Sequence, residues 1–207
     1  MAGQFEPVKG GGAAVALDEI EISILRSLVV QLLELVGPGD EPVEGEDPLA
    51  ALFAEGPSEP PSDPALARLF PDAYGEKEPD FSSEFRRFTE NDLRARKRDD
   101  ALAVVRTLDE AAAPAPGGAT PSTRKAGRRK RVPSGVAVLR LSPEDSQHWL
   151  GALNDLRLTI GTRLEVSDED ENNELYRLPD EDPRKPMVMA YLWLGALQET
   201  LVETLMP

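Results

Sequence analysis

Cysteine is absent from the 207 residues of this sequence, and histidine occurs once, as His148. Without cysteine the chain has no disulfide, no thiolate nucleophile and no sulfur ligand for a metal. A single histidine cannot build a zinc site, and no strained-turn serine motif such as G-x-S-x-G supplies a nucleophile. We therefore expect His148 to be a surface or half-buried structural residue. We predict a protein that is not an enzyme and that needs no metal or cofactor.

Long apolar runs are also missing. No segment approaches the roughly 20 apolar residues that a membrane helix requires. The opening MAGQFEPVKGGG lacks the charged and apolar regions of a signal peptide. These absences predict a cytoplasmic protein that does not enter a membrane. The formal net charge of −15 repels phosphate backbones at long range, so DNA binding would require a local basic patch.

The strongest helical pattern present runs from Ser142 to Leu164. Ser142 is a suitable N-cap, with Pro143 at the first helical position and Asp145 where a capping-box acid belongs. At about 100° per residue, five apolar side chains fall within an arc of roughly 80°. They are Trp149, Leu153, Leu156, Ile160 and Leu164. We expect this stripe to face the core.

A similar strand–cap–helix pattern occurs near the start of the chain. Residues 4–17 predict a β-hairpin with a glycine turn, and Asp18 with Glu21 predicts a capping box for the helix that follows. An offset of 124, which carries Val15 onto Leu139, also carries Asp18 onto Ser142. Either the chain contains an internal repeat, or two ordinary strand–helix units share this pattern. In both cases we expect a small sheet with two helices packed on it.

Between these units the sequence predicts further helices. Two short ones are expected at 49–55 and 65–70, and either a kinked helix or two helices at 82–89 and 90–112, because the apolar face shifts. Five arginines in this stretch form no clean basic face, and we interpret them as a salt-bridged surface. They are Arg86, Arg87, Arg94, Arg96 and Arg98.

The end of the chain predicts an acidic loop at 165–185 and a last helix from Pro186. Asp168, Asp170 and Asn172 have the opening spacing of an EF-hand loop. However, Asn173 replaces the glycine of the sharp turn and Pro179 replaces the bidentate glutamate, so no calcium site is predicted. In the last helix, residues 187–197 are apolar on nearly every side, which predicts a helix buried in the core.

Residues 113–134 are rich in proline, glycine, lysine and arginine, and we predict a disordered linker. Six basic residues in it are the candidate site for contact with nucleic acid or a partner. They are Arg124, Lys125, Arg128, Arg129, Lys130 and Arg131. If all six bound DNA phosphates, the slope of log K against log salt would be about −5. A solvated linker, or one folded back on the acidic loop, is the alternative.

We predict an α+β fold, mostly helical, with five to seven helices around a small antiparallel sheet. A chain of this length suits a single domain, in which residues 1–112 and 135–207 pack together and residues 113–134 link them. The oligomeric state is not predicted.

Several segments resemble a known family. They are Asp63–Tyr74, Glu84–Glu90, Leu141–Asp145, Trp149–Leu164 and Leu192–Val202. With the N-terminal hairpin and helix they span nearly the whole chain except the basic linker. They are similar to the actinobacterial AosR family of oxidative-stress transcriptional regulators, formerly catalogued as a domain of unknown function.

The resemblance implies a cytoplasmic, non-enzymatic regulator of redox-responsive transcription. Such a regulator would act through protein–protein contacts, with the transcription machinery as its partner. Genes of this family commonly neighbour that of ClpS, so the resemblance also implies an alternative as an adaptor in Clp proteolysis. Direct DNA binding through the basic linker and an enzyme of unknown chemistry remain rival hypotheses; a buried carboxylate cluster in a deep pocket would favour the enzyme. Family members described as redox sensors use a cysteine pair, which this sequence lacks, so a thiol switch cannot operate within it.

Overall fold

The computed structural model describes residues 3–38, 56–74, 78–112, 135–166 and 174–206. Within these ranges it contains three strands, five α-helices and one 3₁₀ turn. The strands are β1 (Glu6–Pro7), β2 (Ala13–Asp18) and β3 (Val136–Leu141). The helices are α1 (Glu19–Val36), α2 (Pro64–Leu69), α3 (Pro79–Ala112), α4 (Pro143–Arg163) and α5 (Lys185–Leu205). This is the predicted α+β, mostly helical fold.

The sheet has the strand order β1-β2-β3 and is antiparallel throughout. The predicted hairpin is confirmed, with β1 paired to β2 across a turn of three glycines that all have positive φ. Gly12 must be glycine for a second reason, since a Cβ atom there would collide with the carbonyl oxygen of Leu141. The turn therefore fixes how the hairpin meets the end of β3.

Both predicted helix starts are confirmed. The backbone N–H of Glu21 donates to Asp18 Oδ1 over 2.8 Å, and the N–H of Asp18 donates to Glu21 Oε2 over 2.9 Å. This reciprocal pair is a complete capping box for α1. At α4, Ser142 Oγ accepts from the N–H of Asp145 over 3.0 Å. Each helix thus begins at a fixed residue directly after its strand.

The core joins the two parts of the chain on either side of residues 113–134. Trp149 on α4 is fully buried, and its indole Nε1 donates to Thr107 Oγ1 on α3 over 2.9 Å. Its ring also meets that of Phe5 edge-on, with centroids 5.8 Å apart. The other four residues of the predicted α4 stripe are buried as well. The helix from Ser142 onward is therefore a central core element, as predicted.

Helix α3 is one continuous helix of 34 residues, so of the two predicted alternatives, one kinked helix or two helices, the second is wrong. Thr89 does not cap a new helix; its Oγ1 donates to the carbonyl of Phe85 one turn earlier. The apolar face shifts because the neighbours change along the helix. Residues 70–74 contact its first part, through Arg86 and Ser82, whereas α1 and α4 contact the rest.

Two burial predictions are also corrected. Arg86 is buried, with 5% of its surface exposed, and does not belong to a salt-bridged surface. Helix α5 is not buried on all sides, since Met187, Met189 and Leu192 are 41%, 55% and 40% exposed. Its inner residues pack on α4 and on the strands β1 and β2, and in the described ranges no element covers the opposite side.

Some predictions fall outside the described residues. These are the helix at 49–55, the linker at 113–134 and the part of the acidic loop at 167–173. In the described remainder of that loop, Glu174–Arg177 forms one 3₁₀ turn. Among the helices that the structure describes, none is both long enough and apolar enough to cross a membrane.

Candidate functional site

The six basic residues predicted as a contact site all lie in 113–134, outside the described ranges. The structure places the two ends of this segment, Ala112 and Gly135, beside the same groove of about 540 Å³. Arg26 of α1 and Asp109 of α3 also line the groove and form an exposed ion pair of 2.6 Å. The basic segment therefore leaves and re-enters the fold at one place, next to the start of α1.

His148 lies in a second groove, of about 760 Å³, bounded by α3, α4 and α5. The ring is half-buried, as predicted, and its Nδ1 lies 2.7 Å from Asp100 Oδ1. Asp92, Asp99 and Asn154 also line this groove. Within the described residues no three metal-ligating side chains converge. The groove is therefore lined by side chains that can form hydrogen bonds, and the described residues form no metal site in it.

A buried carboxylate lies behind that groove. Asp155 is 2% exposed and forms an ion pair of 2.7 Å with Lys97 Nζ. Burial raises the pKa of Asp155 and the charge of Asp100 raises it further, while Lys97 opposes both. Asp155 does not line the groove. Its role is to connect α3 with α4, and it does not supply the pocket-facing carboxylate that an enzyme hypothesis requires.

Arg86 and Arg94 of α3 have a comparable structural role. Glu90, 3% exposed, is an ion-pair partner of both Arg86 and Arg94. Arg86 also donates to the carbonyl of Phe70 over 3.0 Å, and Arg94 donates to the carbonyl of Val36 at the end of α1 over 2.6 Å. These guanidinium groups donate hydrogen bonds to carbonyl oxygens at the C-terminal ends of α1 and α2, which have no donor within their own helices. They are occupied inside the protein and do not form a nucleic-acid interface.

The outer side of α5 presents a different kind of surface. Five residues fall within an arc of about 80° at helical spacing. We call these residues the α5 surface: Met189, Leu192, Ala196, Glu199 and Glu203. Its first half is apolar and exposed, and its second half carries two exposed carboxylates.

A groove of about 640 Å³ runs along this surface, between α4 and α5. The guanidinium of Arg157 lies over the ring of Tyr191, 5.3 Å from its centroid, and donates to Gln198 Oε1 over 2.6 Å. A Cβ atom at Gly195 would be in ordinary van der Waals contact with Arg157, 3.5 Å from its Nε. The groove is thus lined by the stacked Arg157 and Tyr191 together with the apolar residues Leu192 and Ala196.

Sequence reasoning missed the α5 surface. An apolar run of this kind predicts a core helix, because periodicity cannot say which side of a helix finds neighbours. One signal was present: Glu199 and Glu203 share an arc with Met189 and Leu192, so carboxylates expected to face solvent lie on the same side as these apolar residues.

The geometry defines a mostly helical α+β protein. It has an exposed, partly apolar helix surface, and its buried charged side chains form ion pairs. The family model described as "Domain of unknown function (DUF2017)" matches residues 2–205, and the chain belongs to this family.

Similar proteins occur in mycobacteria. The "Putative oxidative stress regulator AosR" of Mycobacterium leprae is 29% identical over 191 residues, which covers 90% of this chain and 79% of that protein. The "Oxidative stress regulator AosR" of Mycobacterium tuberculosis H37Rv is 28% identical over 200 residues, with 90% and 78% covered. No solved structure matches significantly.

Proposed function

We propose that this protein is a non-enzymatic cytoplasmic regulator of oxidative-stress transcription that acts by binding a protein of the transcription machinery. The α5 surface is the observation that carries the proposal. Met189 and Leu192 are exposed, and the opposite side of α5 packs on α4, β1 and β2. Methionine is enriched in protein interfaces because its flexible, polarisable side chain adapts to varied partners. The names of the mycobacterial relatives support the regulatory part of the proposal.

The charges on this surface specify the partner. Glu199 and Glu203 continue the stripe that begins with Met189 and Leu192, and the chain as a whole carries a net charge of −15. A complementary segment would present apolar side chains followed by lysine or arginine. We propose that such a basic, apolar segment of RNA polymerase or of a sigma factor binds along α5.

The proposal places redox sensing elsewhere. These 207 residues contain no cysteine, so no thiol in them can be oxidised to a disulfide or a sulfenic acid. The protein would instead read the redox state through its partner, or connect an oxidised partner to transcription.

A binding experiment tests the proposal. Purified actinobacterial RNA polymerase core, its sigma subunits and ClpS are each passed over the immobilised protein. We expect the polymerase or a sigma subunit to bind, and Met189→Glu/Leu192→Glu to weaken that binding at least tenfold, in the range typical of central interface residues (about 1–3 kcal/mol). The matched control is Ile20→Glu on α1, where an exposed apolar residue is replaced away from α5; it should bind like the wild type.

A second variant tests the charges. Glu199→Lys/Glu203→Lys should slow association with a basic partner and reduce its dependence on salt. Binding of ClpS alone would contradict the proposal in favour of the proteolytic adaptor. Salt-dependent retention on DNA that disappears when residues 113–134 are deleted, without polymerase binding, would contradict it in favour of direct DNA binding through the basic linker.

A further inference from the structure

A second exposed apolar surface lies at the start of α3. Phe81, Phe85 and Phe88 are spaced four and three residues apart and are 59%, 47% and 63% exposed. Tyr74 borders them, with its ring centroid 6.0 Å from that of Phe81 and 6.1 Å from that of Phe85. We call these four residues the aromatic face. Single apolar side chains on a surface are ordinary, whereas contiguous exposed rings are characteristic of an interaction surface.

Exposed carboxylates lie among these rings. Glu84 comes three residues after Phe81 and four before Phe88, so on a helix it is a neighbour of both. Asp92 comes four residues after Phe88 and continues the same side of α3. Both carboxylates are exposed, and in the part of the chain that the structure describes neither forms an ion pair. The aromatic face therefore combines aromatic rings with negative charge.

The opposite side of the same helix shows what such a combination binds. The guanidinium of Arg94 lies over the ring of Phe70, 4.4 Å from its centroid, and forms an ion pair of 2.7 Å with Glu90. A planar guanidinium suits both contacts, because it stacks on a ring and donates to carboxylate oxygens from its edge. The aromatic face has the rings and the carboxylates of this arrangement. Among the described residues only Arg87, 5.8 Å from the centroid of Phe88, brings a guanidinium to one of its rings.

The sign of the charge disfavours other occupants of the aromatic face. A second copy packed face to face would bring its own Glu84 and Asp92 toward those of the first, in a chain whose net charge is already −15. Nucleic acids and anionic lipid membranes carry the same sign of charge as these carboxylates. Electrostatic complementarity therefore favours a cationic partner.

We propose that the aromatic face binds an arginine-bearing segment of a protein partner. Guanidinium groups of this segment stack on the exposed rings, while Glu84 and Asp92 accept hydrogen bonds from them. Arginine is preferred to lysine, because an ammonium group neither stacks as a plane on a ring nor binds a carboxylate through two parallel hydrogen bonds. This surface is separate from the α5 surface of the proposed function, and neither proposal requires the other.

Fluorescence anisotropy with the full chain tests the proposal. The probe is a fluorescein-labelled synthetic helical peptide with arginine and leucine on one side, and a second peptide carries lysine in place of every arginine. We expect the arginine peptide to bind saturably and about threefold more tightly than the lysine peptide. Phe81→Ser/Phe85→Ser should weaken its binding about tenfold. Both phenylalanines are exposed, so this variant should keep the circular dichroism spectrum of the wild type.

A second variant tests the carboxylates. Glu84→Gln/Asp92→Asn should weaken binding of the arginine peptide about threefold and make it less dependent on salt. The matched control is Glu199→Gln/Glu203→Gln, which removes the same number of exposed charges from α5. The control should bind the peptide nearly as tightly as the wild type does.

Several results would overturn the proposal. The arginine peptide might as a first case show no saturable binding, or bind no more tightly than the lysine peptide. Binding that survives Phe81→Ser/Phe85→Ser, or that the α5 control weakens as much as Glu84→Gln/Asp92→Asn does, would indicate general attraction to an acidic protein.

Sedimentation equilibrium covers the remaining occupant. A wild-type dimer that Phe81→Ser/Phe85→Ser converts into a monomer would assign the aromatic face to a second copy and overturn the proposal; we expect both proteins to be in the same state. Loss of polymerase binding in the α5 variants bears on none of these results, so the two proposals can fail separately.

Discussion

Val15 and Leu139 lie directly opposite each other in the antiparallel pair β2–β3, and the same two residues correspond in the sequence repeat. The repeat carries Ala13 onto Ala137 and Leu17 onto Leu141, while the sheet pairs Ala13 with Leu141 and Leu17 with Ala137. An antiparallel pair has a local two-fold axis at each directly opposed pair. Strands β2 and β3 are therefore related by an approximate two-fold axis at Val15 and Leu139.

This relationship favours an internal repeat over two unrelated strand–helix units. A chance similarity would not require the centre of the pairing register to coincide with the corresponding residues of the repeat. The arrangement also explains the common core, because both strands direct alternate residues toward one side, where α1 and α4 lie.

The first prediction concerns the centre of this arrangement. Leu139→Ala should lower the free energy of unfolding by about 2–4 kcal/mol, because Leu139 is 3% exposed and its removal leaves a cavity between the sheet and the helices. Urea unfolding followed by the fluorescence of Trp149 and Trp193 measures the change. Val138→Ala, the neighbouring position on the exposed side of β3, is the control and should cost less than about 1 kcal/mol. Equal losses at the two positions would contradict the assigned faces of β3.

The parts of the fold that follow from local chemistry could be predicted from the sequence. Asp18 and Glu21 form their capping box within four residues, and the stripe from Trp149 onward needs only helical periodicity. The choice between one helix and two for α3 could not be made in this way, and neither could the burial of Arg86 be predicted. Both depend on segments distant in sequence, since Phe70 and Asp72 come from outside the helix to pair with Arg86. The same distinction holds for the candidate sites. The basic composition of residues 113–134 is evident from the sequence, whereas the exposure of α5 depends on which elements pack against it.

The capping box gives a second prediction. Asp18→Ala should destabilise the protein by about 1 kcal/mol, because the N–H of Glu21 loses its acceptor. Asp18→Asn is the matched control, since asparagine is an equally good N-cap, and it should remain close to the wild type. Thermal unfolding of the three proteins measures the difference. A loss as large in Asp18→Asn as in Asp18→Ala would show that the carboxylate charge, and not the cap, is what matters.

A third prediction contrasts buried and exposed ion pairs. Glu90→Gln keeps the size of the side chain but removes the charge that Arg86 and Arg94 share. The buried Arg86 then keeps only Asp72 as an ion-pair partner, and an incompletely paired buried cation is unfavourable. We expect a loss of about 3 kcal/mol or more in the free energy of unfolding. Arg26→Gln, which breaks the exposed pair with Asp109, should leave stability nearly unchanged. The same urea titration compares both; similar losses would contradict the assigned role of Glu90.

The last prediction concerns Asp155 and pH. Burial raises the pKa of Asp155 above its ordinary value of 3.8, even though Lys97 is its ion-pair partner. At a pH between the ordinary pKa of the unfolded chain and the raised pKa of the folded chain, Asp155 has lost its proton in the unfolded chain but still holds it in the folded chain. The folded state therefore binds more protons, and the contribution of Asp155 to stability must fall as the pH rises through this window.

Asparagine at this position cannot titrate, so Asp155→Asn provides the reference. The free energy of unfolding of the wild type minus that of Asp155→Asn should decrease from about pH 3 upward and become constant once the pH exceeds the raised pKa. Lys97→Met removes the nearby positive charge, so the pKa of Asp155 should rise further and the decrease should extend to higher pH. Urea unfolding at a series of pH values measures these differences. A difference that instead increases with pH would mean that the attraction of Lys97 outweighs burial and that the ionised carboxylate stabilises the contact between α3 and α4.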